Sequence, residues 1–257
     1  YPEARTSFLR LKPHASGDDA DLVRLRLAEI EYFQGRYTSA RDALRPHLND
    51  GARQAEARFF HLMTQRGLRN TETFEQLVHA LETDFPEGTW AEEALNNLAT
   101  YYIQQDRDDD ADAVLREMYA RFPRGRYGER AAWKVGWTAY RNGNMGDTVR
   151  YFESASTNFP RSDYRPAWLY WSGRAREAMG DRPGATAGYQ LTIADYRNTY
   201  YGRLAEGVLK KHGVEPGRSN LVFAQTVAQL GGEDDYFPPT EGIIRTLLAL
   251  ELFEPAV

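Results

Sequence analysis

The chain has 257 residues, 42% of them apolar and 27% charged, with a net charge of −5. That balance suits a folded protein with a sizeable core and excludes a disordered one. The acidic excess also speaks against the clustered Lys/Arg surface that nucleic-acid binding requires. Cysteine is absent, which removes disulfides, thiolate zinc sites and thiol nucleophiles together, and no apolar run approaches the roughly 18 residues of a membrane-spanning helix.

The five histidines, at 14, 47, 61, 79 and 212, never stand four apart or beside a second ligand, so no metal site and no cofactor is expected. The chain opens on Tyr1 with no signal-like segment, which reads as a trimmed piece.

Apolar positions at helical spacing begin around Ala28, and Ala40 and Leu44 follow across the breaker-rich turn FQGRY at 33–37. A second turn, QRGLRN at 65–70, follows Leu62. Phe85-Pro86 then opens a series: Phe122-Pro123 and Phe159-Pro160 recur at steps of 37 residues, and Trp90, Tyr127 and Tyr164 keep the same step. Ala99, Gly136 and Gly173 do likewise. Within a unit, Ala132, Val135, Gly136 and Ala139 share one helix face, and Val149, Phe152 and Ala155 share the next.

Each unit reads as helix, turn, helix, then proline, whose ring and missing N–H stop the second helix. The turns RNGNMGD at 141–147 and MGDRPG at 179–184 fit the scheme. The acidic stretch Asp106 to Asp112 is predicted to be a turn and a helix start, where carboxylates meet the positive end of the helix dipole. Gly136 and Gly173 each cost about 1 kcal/mol against alanine in a helix interior. Close approach of the paired helix is the expected compensation.

Leu98-Ala99, Ala111, Leu115 and Pro123, with their echo at Ala28, Ala40 and Leu44, resemble the tetratricopeptide repeat, a helical hairpin of about 34 residues. The resemblance spans roughly residues 20–196, or about five units. It implies an all-α fold, a right-handed superhelix of tetratricopeptide-like hairpins over 1–196, with a helical continuation at 197–257. Such solenoids bind many unrelated partners, so the fold alone assigns no function.

The rhythm ends at Tyr196-Arg197, where another Phe-Pro would fall. The stretch from Leu169 to Leu209 resembles the last hairpins of the superhelical region of soluble lytic murein transglycosylases. The residues that carry this are Tyr170, Trp171, Arg174, Ala175, Gly180, Asp181, Ala185, Tyr189, Tyr200, Tyr201, Gly202, Leu204 and Ala205. The tail EGIIRTLLALELFEPAV resembles the helix pair that leads towards the catalytic domain in that family.

The resemblance implies a periplasmic protein whose parent enzyme cleaves peptidoglycan through a glutamate marked Glu-Ser, with Gly-Leu-Met-Gln downstream. Here Glu-Ser occurs only at Glu153-Ser154, inside the second helix of a repeat, and Gly-Leu-Met-Gln is absent. No catalytic residue is therefore expected, and the chain by itself should have no lytic activity.

If the superhelix holds glycan strands or partner proteins, the first helix of each pair is where contacts are expected. Trp133, Trp137 and Tyr140 share a helix face there, Arg141 follows, and Tyr170 and Arg174 stand 37 residues beyond the two tryptophans. Aromatic faces stack on sugar rings, and arginine pairs with the carboxylates of stem peptides. Packing between repeats is the simpler use of the same aromatics. Tyr200, Tyr201 and Gly202 read as structural, sealing the apolar end of the last pair. The alternative to the enzyme-linked reading is a free-standing periplasmic repeat scaffold for contacts between cell-envelope proteins.

Overall fold

A computed structural model of the chain describes residues 1–49 and 51–215; the expected helix pair in the tail lies outside them. Among the described residues the protein is entirely α-helical. The helices are α1 (Pro2–Leu11), α2 (Gly17–Phe33), α3 (Tyr37–Leu44), α4 (Gln54–Gly67), α5 (Thr71–Asp84), α6 (Thr89–Gln104), α7 (Asp108–Arg121), α8 (Gly128–Arg141), α9 (Met145–Asn158), α10 (Arg165–Ala178), α11 (Arg182–Tyr196) and α12 (Tyr200–Lys211). Five hairpins, α2/α3 to α10/α11, stack in chain order into a repeat superhelix. α1 packs on α2 in front, and α12 packs on α10 and α11 behind.

The punctuation of the sequence fixes the hairpins. The first helix of each pair ends on a left-handed residue, at Gly35, Arg69, Asp106, Gly143 and Gly180, with φ of 74°, 62°, 55°, 79° and 81°. That conformation turns the chain back and satisfies the last carbonyls of the helix. The second helices α5, α7 and α9 end on Phe85, Phe122 and Phe159, whose backbones leave the helical region because each precedes a proline. In the first pair, Pro46 sits in a 3₁₀ turn at 45–47 and α3 stops after 8 residues. The acidic stretch starts α7, with Asp108, Asp109 and Asp110 in its first turn.

The core runs continuously from Leu25 in α2 to Trp168 in α10. Tyr170, Ala185, Tyr189, Ile193, Ala205 and Leu209 form a second, smaller cluster where α12 closes the end. The space left at Gly136 and Gly173 is taken by aromatic rings from the partner helix, Phe152 and Tyr189, rather than by a closer backbone as the sequence suggested. Backbones do come together at Gly188, where an added Cβ would lie 3.5 Å from Gly173 Cα. Arginine pairs reach between units, Arg26 to Glu56 at 2.8 Å and Arg116 to Asp147 at 3.0 Å, and Arg165 ties the two helices of the last pair through Asp195 at 2.6 Å.

Candidate functional site

Three rings on α8 stand in parallel. Trp133 stacks on Trp137 at 5.9 Å with 7° between planes, and Trp137 stacks on Tyr140 at 5.7 Å and 8°. The spacing i, i+4, i+7 puts them on one face. Trp171 of α10 meets Trp137 and Tyr140 edge-on, at 5.0 and 4.9 Å. Tyr164, the residue before α10, stacks on Trp133 at 5.9 Å.

The three tryptophans and Tyr140 are half-buried, and Tyr164 is 42% exposed, so together they form an aromatic shelf bridging the fourth and fifth pairs. Each such ring pair contributes about 0.5–1.5 kcal/mol beyond its buried area. The shelf thus joins two units and still offers flat apolar surface to solvent. Sequence spacing missed Trp171 because it stands one residue beyond the step from Trp133.

The other expected contact residues are placed differently. Tyr170 is only 4% exposed and cannot offer its ring to a ligand. It occupies the position in α10 that Trp133 has in α8, but Tyr201 of α12 lies 5.6 Å from it and covers it. Arg174 donates to the Tyr170 hydroxyl at 3.3 Å and pairs with Glu177 at 3.5 Å, so its guanidinium is already engaged. Arg141 is exposed beside the shelf at the end of α8.

An arginine that spacing did not single out, Arg130, lies half-buried one turn before Trp133. It donates to Asn96 and, at 3.1 Å, to the Thr100 hydroxyl, with no carboxylate partner among the described residues. Burial holds its pKa below the usual arginine range.

Glu153 is a structural carboxylate. Arg176 grips both of its oxygens, Nε to Oε1 at 2.7 Å and Nη2 to Oε2 at 2.9 Å, and the buried Ser172 hydroxyl donates to Oε1 at 2.9 Å. Arg176 also holds Asp181 at 2.6 Å, and these two partners push its pKa up. A carboxylate held in this way ties α9 to α10 and is not poised to protonate a leaving group.

At the closing end, Thr199 caps α12 by accepting the Gly202 N–H at 3.2 Å. Tyr201 packs into the second cluster, whereas Tyr200 is 65% exposed and lies outside it. Among the described residues, no group of His, Cys, Asp and Glu could hold a metal ion, and no helix is long and apolar enough to cross a membrane.

No family model and no curated protein matches the chain. Several solved structures are similar to it. MamA AMB-1 is 15% identical with a TM-score of 0.44, over 73% of this chain and 98% of that one. BtubC (BKLC) from P. vanneervenii is 16% identical with a TM-score of 0.45, over 74% and 86%. A Podosopora anserina kinesin light chain with nearly identical TPR-like repeats is 13% identical with a TM-score of 0.39, over 73% and 95%. The tetratricopeptide-like fold stands on the chain's own hairpins, their spacing and their recurrent turns.

Proposed function

We propose that the chain is a non-catalytic superhelical scaffold of a periplasmic, peptidoglycan-cleaving lytic transglycosylase, in which the shelf of Trp133, Trp137, Tyr140 and Trp171 holds glycan or a partner protein for a catalytic domain of the same polypeptide. The observation that carries this reading is a coincidence of motif and packing. Tyr170, Trp171, Ala185, Tyr189, Tyr201, Leu204 and Ala205, all quoted above for the transglycosylase resemblance, are members of one cluster around α12. The resemblance therefore falls on residues that pack as a unit.

Two results test the two parts. The parent gene should encode Glu-Ser and then Gly-Leu-Met-Gln downstream of this region; a gene without them removes the enzyme. Purified sacculi should retain the protein better than a Trp133→Ala/Trp137→Ala variant of equal fold content; equal retention removes the shelf.

A second reading is a scaffold for contacts between cell-envelope proteins with no enzyme attached. It is favoured by the same half-buried row of rings, since large rigid aromatics with a free edge are what protein interfaces bury at their centres. Retention of envelope proteins, but not of sacculi, by the tryptophan row would select it.

A further inference from the structure

The turn between α4 and α5 holds a feature that neither the shelf nor the closing cluster explains. At the left-handed position that ends the first helix of each pair, three units use glycine: Gly35, Gly143 and Gly180. The third unit places Asp106 there, a short side chain that tolerates this backbone, and the second places Arg69, at φ 62°. A side chain on that backbone is strained, and glycine is the residue the geometry favours. An arginine kept at such a point is better accounted for by what its side chain does than by the turn it makes.

Arg69 lines a cavity of about 340 Å³ with Arg66, Thr71, Phe74, Tyr101 and Gln105. Among the described residues no carboxylate lines it. Arg66 lies flat against the rings of Phe74 and Tyr101, its guanidinium carbon 5.9 and 5.8 Å from their centroids. Its N–H groups reach only neutral amide oxygens, Asn97 Oδ1 at 3.3 Å and Gln104 Oε1 at 2.8 Å. The Arg69 side chain is exposed and, among the described residues, makes no hydrogen bond or ion pair; only its backbone N–H is engaged, donating to Arg66 O at 3.0 Å. This differs from the arginines that tie helices together elsewhere, such as Arg26, Arg116 and Arg165, each of which meets an acid. On the same wall the Thr71 and Tyr101 hydroxyls meet at 3.0 Å; one donates to the other, and the second O–H is left as a neutral donor beside the two cations.

We propose that this cavity is an oxyanion site, in which Arg66 and Arg69 grip a carboxylate or phosphate group, with Gln105 and the remaining O–H of the Thr71 and Tyr101 pair supplying further donors. Guanidinium edges match the oxygens of both groups in paired hydrogen bonds, and the aromatic floor fixes the orientation of Arg66 without neutralising it. The site lies among α4, α5 and α6, two units before the shelf, and does not rest on the function proposed above.

The test uses the whole chain labelled at arginine Nε. It is titrated separately with inorganic phosphate and with N-acetyl-glutamate at constant ionic strength, and followed by NMR. The decisive variant is Arg69→Gly, which removes the cation while restoring the residue that three sister turns use, so it should melt at or above the parent temperature. Arg69→Asn, whose side chain also tolerates this backbone, serves as a second fold-preserving control.

The expected result is saturable displacement of the Arg66 and Arg69 resonances by one probe or both, weakened at least tenfold in the folded variants. Response to phosphate alone identifies a phosphate group as the ligand chemistry, and response to N-acetyl-glutamate alone identifies a carboxylate. Absence of saturation by either probe, or binding by Arg69→Gly as tight as by the parent, overturns the proposal.

Discussion

The ring of Phe152 occupies the place that a side chain at Gly136 would fill. The two residues stand sixteen apart, Gly173 and Tyr189 repeat the contact at the same offset, and the residues at that offset in the other pairs are buried too: Ala28 and Leu44, Leu62 and Val78, Ala99 and Leu115. Sizes are traded across the hairpin. Within this series the largest first-helix residue, Leu62, shares its offset with the smallest second-helix residue, Val78, and each glycine faces an aromatic ring. This keeps the interior at the density that folded proteins require.

Gly136→Ala tests that trade. Alanine gains up to about 1 kcal/mol in helix propensity, but its Cβ would lie 2.7 and 2.8 Å from Phe152 Cδ1 and Cζ. Phe152 is fully buried and has nowhere to move. Overpacking of this kind costs about 1–3 kcal/mol, so the net effect should be a loss of stability and a melting temperature lower by a few degrees. Gly136→Ala/Phe152→Leu rebuilds the combination found at Ala99 and Leu115 and should recover most of the loss. A single variant as stable as the parent would refute the account.

The Glu153–Arg176 pair predicts a stability effect with no catalytic one. Glu153→Ala strips Arg176 of one acid and leaves the buried Ser172 hydroxyl without its acceptor. Because both charged groups are part-exposed, the loss should be only about 1 kcal/mol, and Glu153→Gln should lose less because it keeps an acceptor. In a turbidity assay on sacculi, parent and variants should be equally inert. Cleavage by the parent that Glu153→Gln abolishes would overturn the structural assignment.

Asp147 gives a pH dependence with a defined sign. It accepts from Arg150 and from Arg116, both at 3.0 Å, and these bonds, Arg150's foremost, hold its carboxyl below the usual aspartate range. A depressed folded pKa means that the unfolded chain takes up the proton first. The contribution is therefore complete above about pH 4 and fades as pH falls through the folded value. Melting temperature should decline less steeply below about pH 4 in Asp147→Asn than in the parent, with the two curves converging at low pH. Parallel curves would show that Asp147 plays no part.

The repeat was legible because its signals are local: Phe-Pro pairs, small residues and breaker turns on one step of 37 place α6 to α11 correctly. α1 sends no such signal, since it buries no residue and so has no apolar period to detect. The site was legible only in part. Trp133, Trp137 and Tyr140 stack as their spacing implies, but the fate of Tyr170 depends on α12, which breaks the period. Glu153 likewise reads as one helix position until Arg176, 23 residues further on, folds back to it. Arg69 looks like an ordinary loop arginine until its backbone shows it standing where three of the four sister turns use glycine.

The junction before α12 offers a contrast within a single helix. A Cβ at Gly202 would run into the carbonyl oxygen of Tyr196 and stand 2.9 Å from Arg197 Cα, and backbone cannot step aside as a side-chain tip can. Thr199 locks the same turn, its hydroxyl donating to Tyr196 O at 2.8 Å while accepting from Gly202 N. Gly207, five residues along the same helix, has open space where its Cβ would be. Gly202→Ala should therefore cost about 2 kcal/mol or more by loosening the docked end, while Gly207→Ala should gain about 0.5–1 kcal/mol from propensity alone. Amide exchange across residues 200–211 should accelerate in the first variant and slow in the second. If both substitutions shift exchange in the same direction, it is helix propensity and not the close fit against Tyr196 that governs this end of the superhelix.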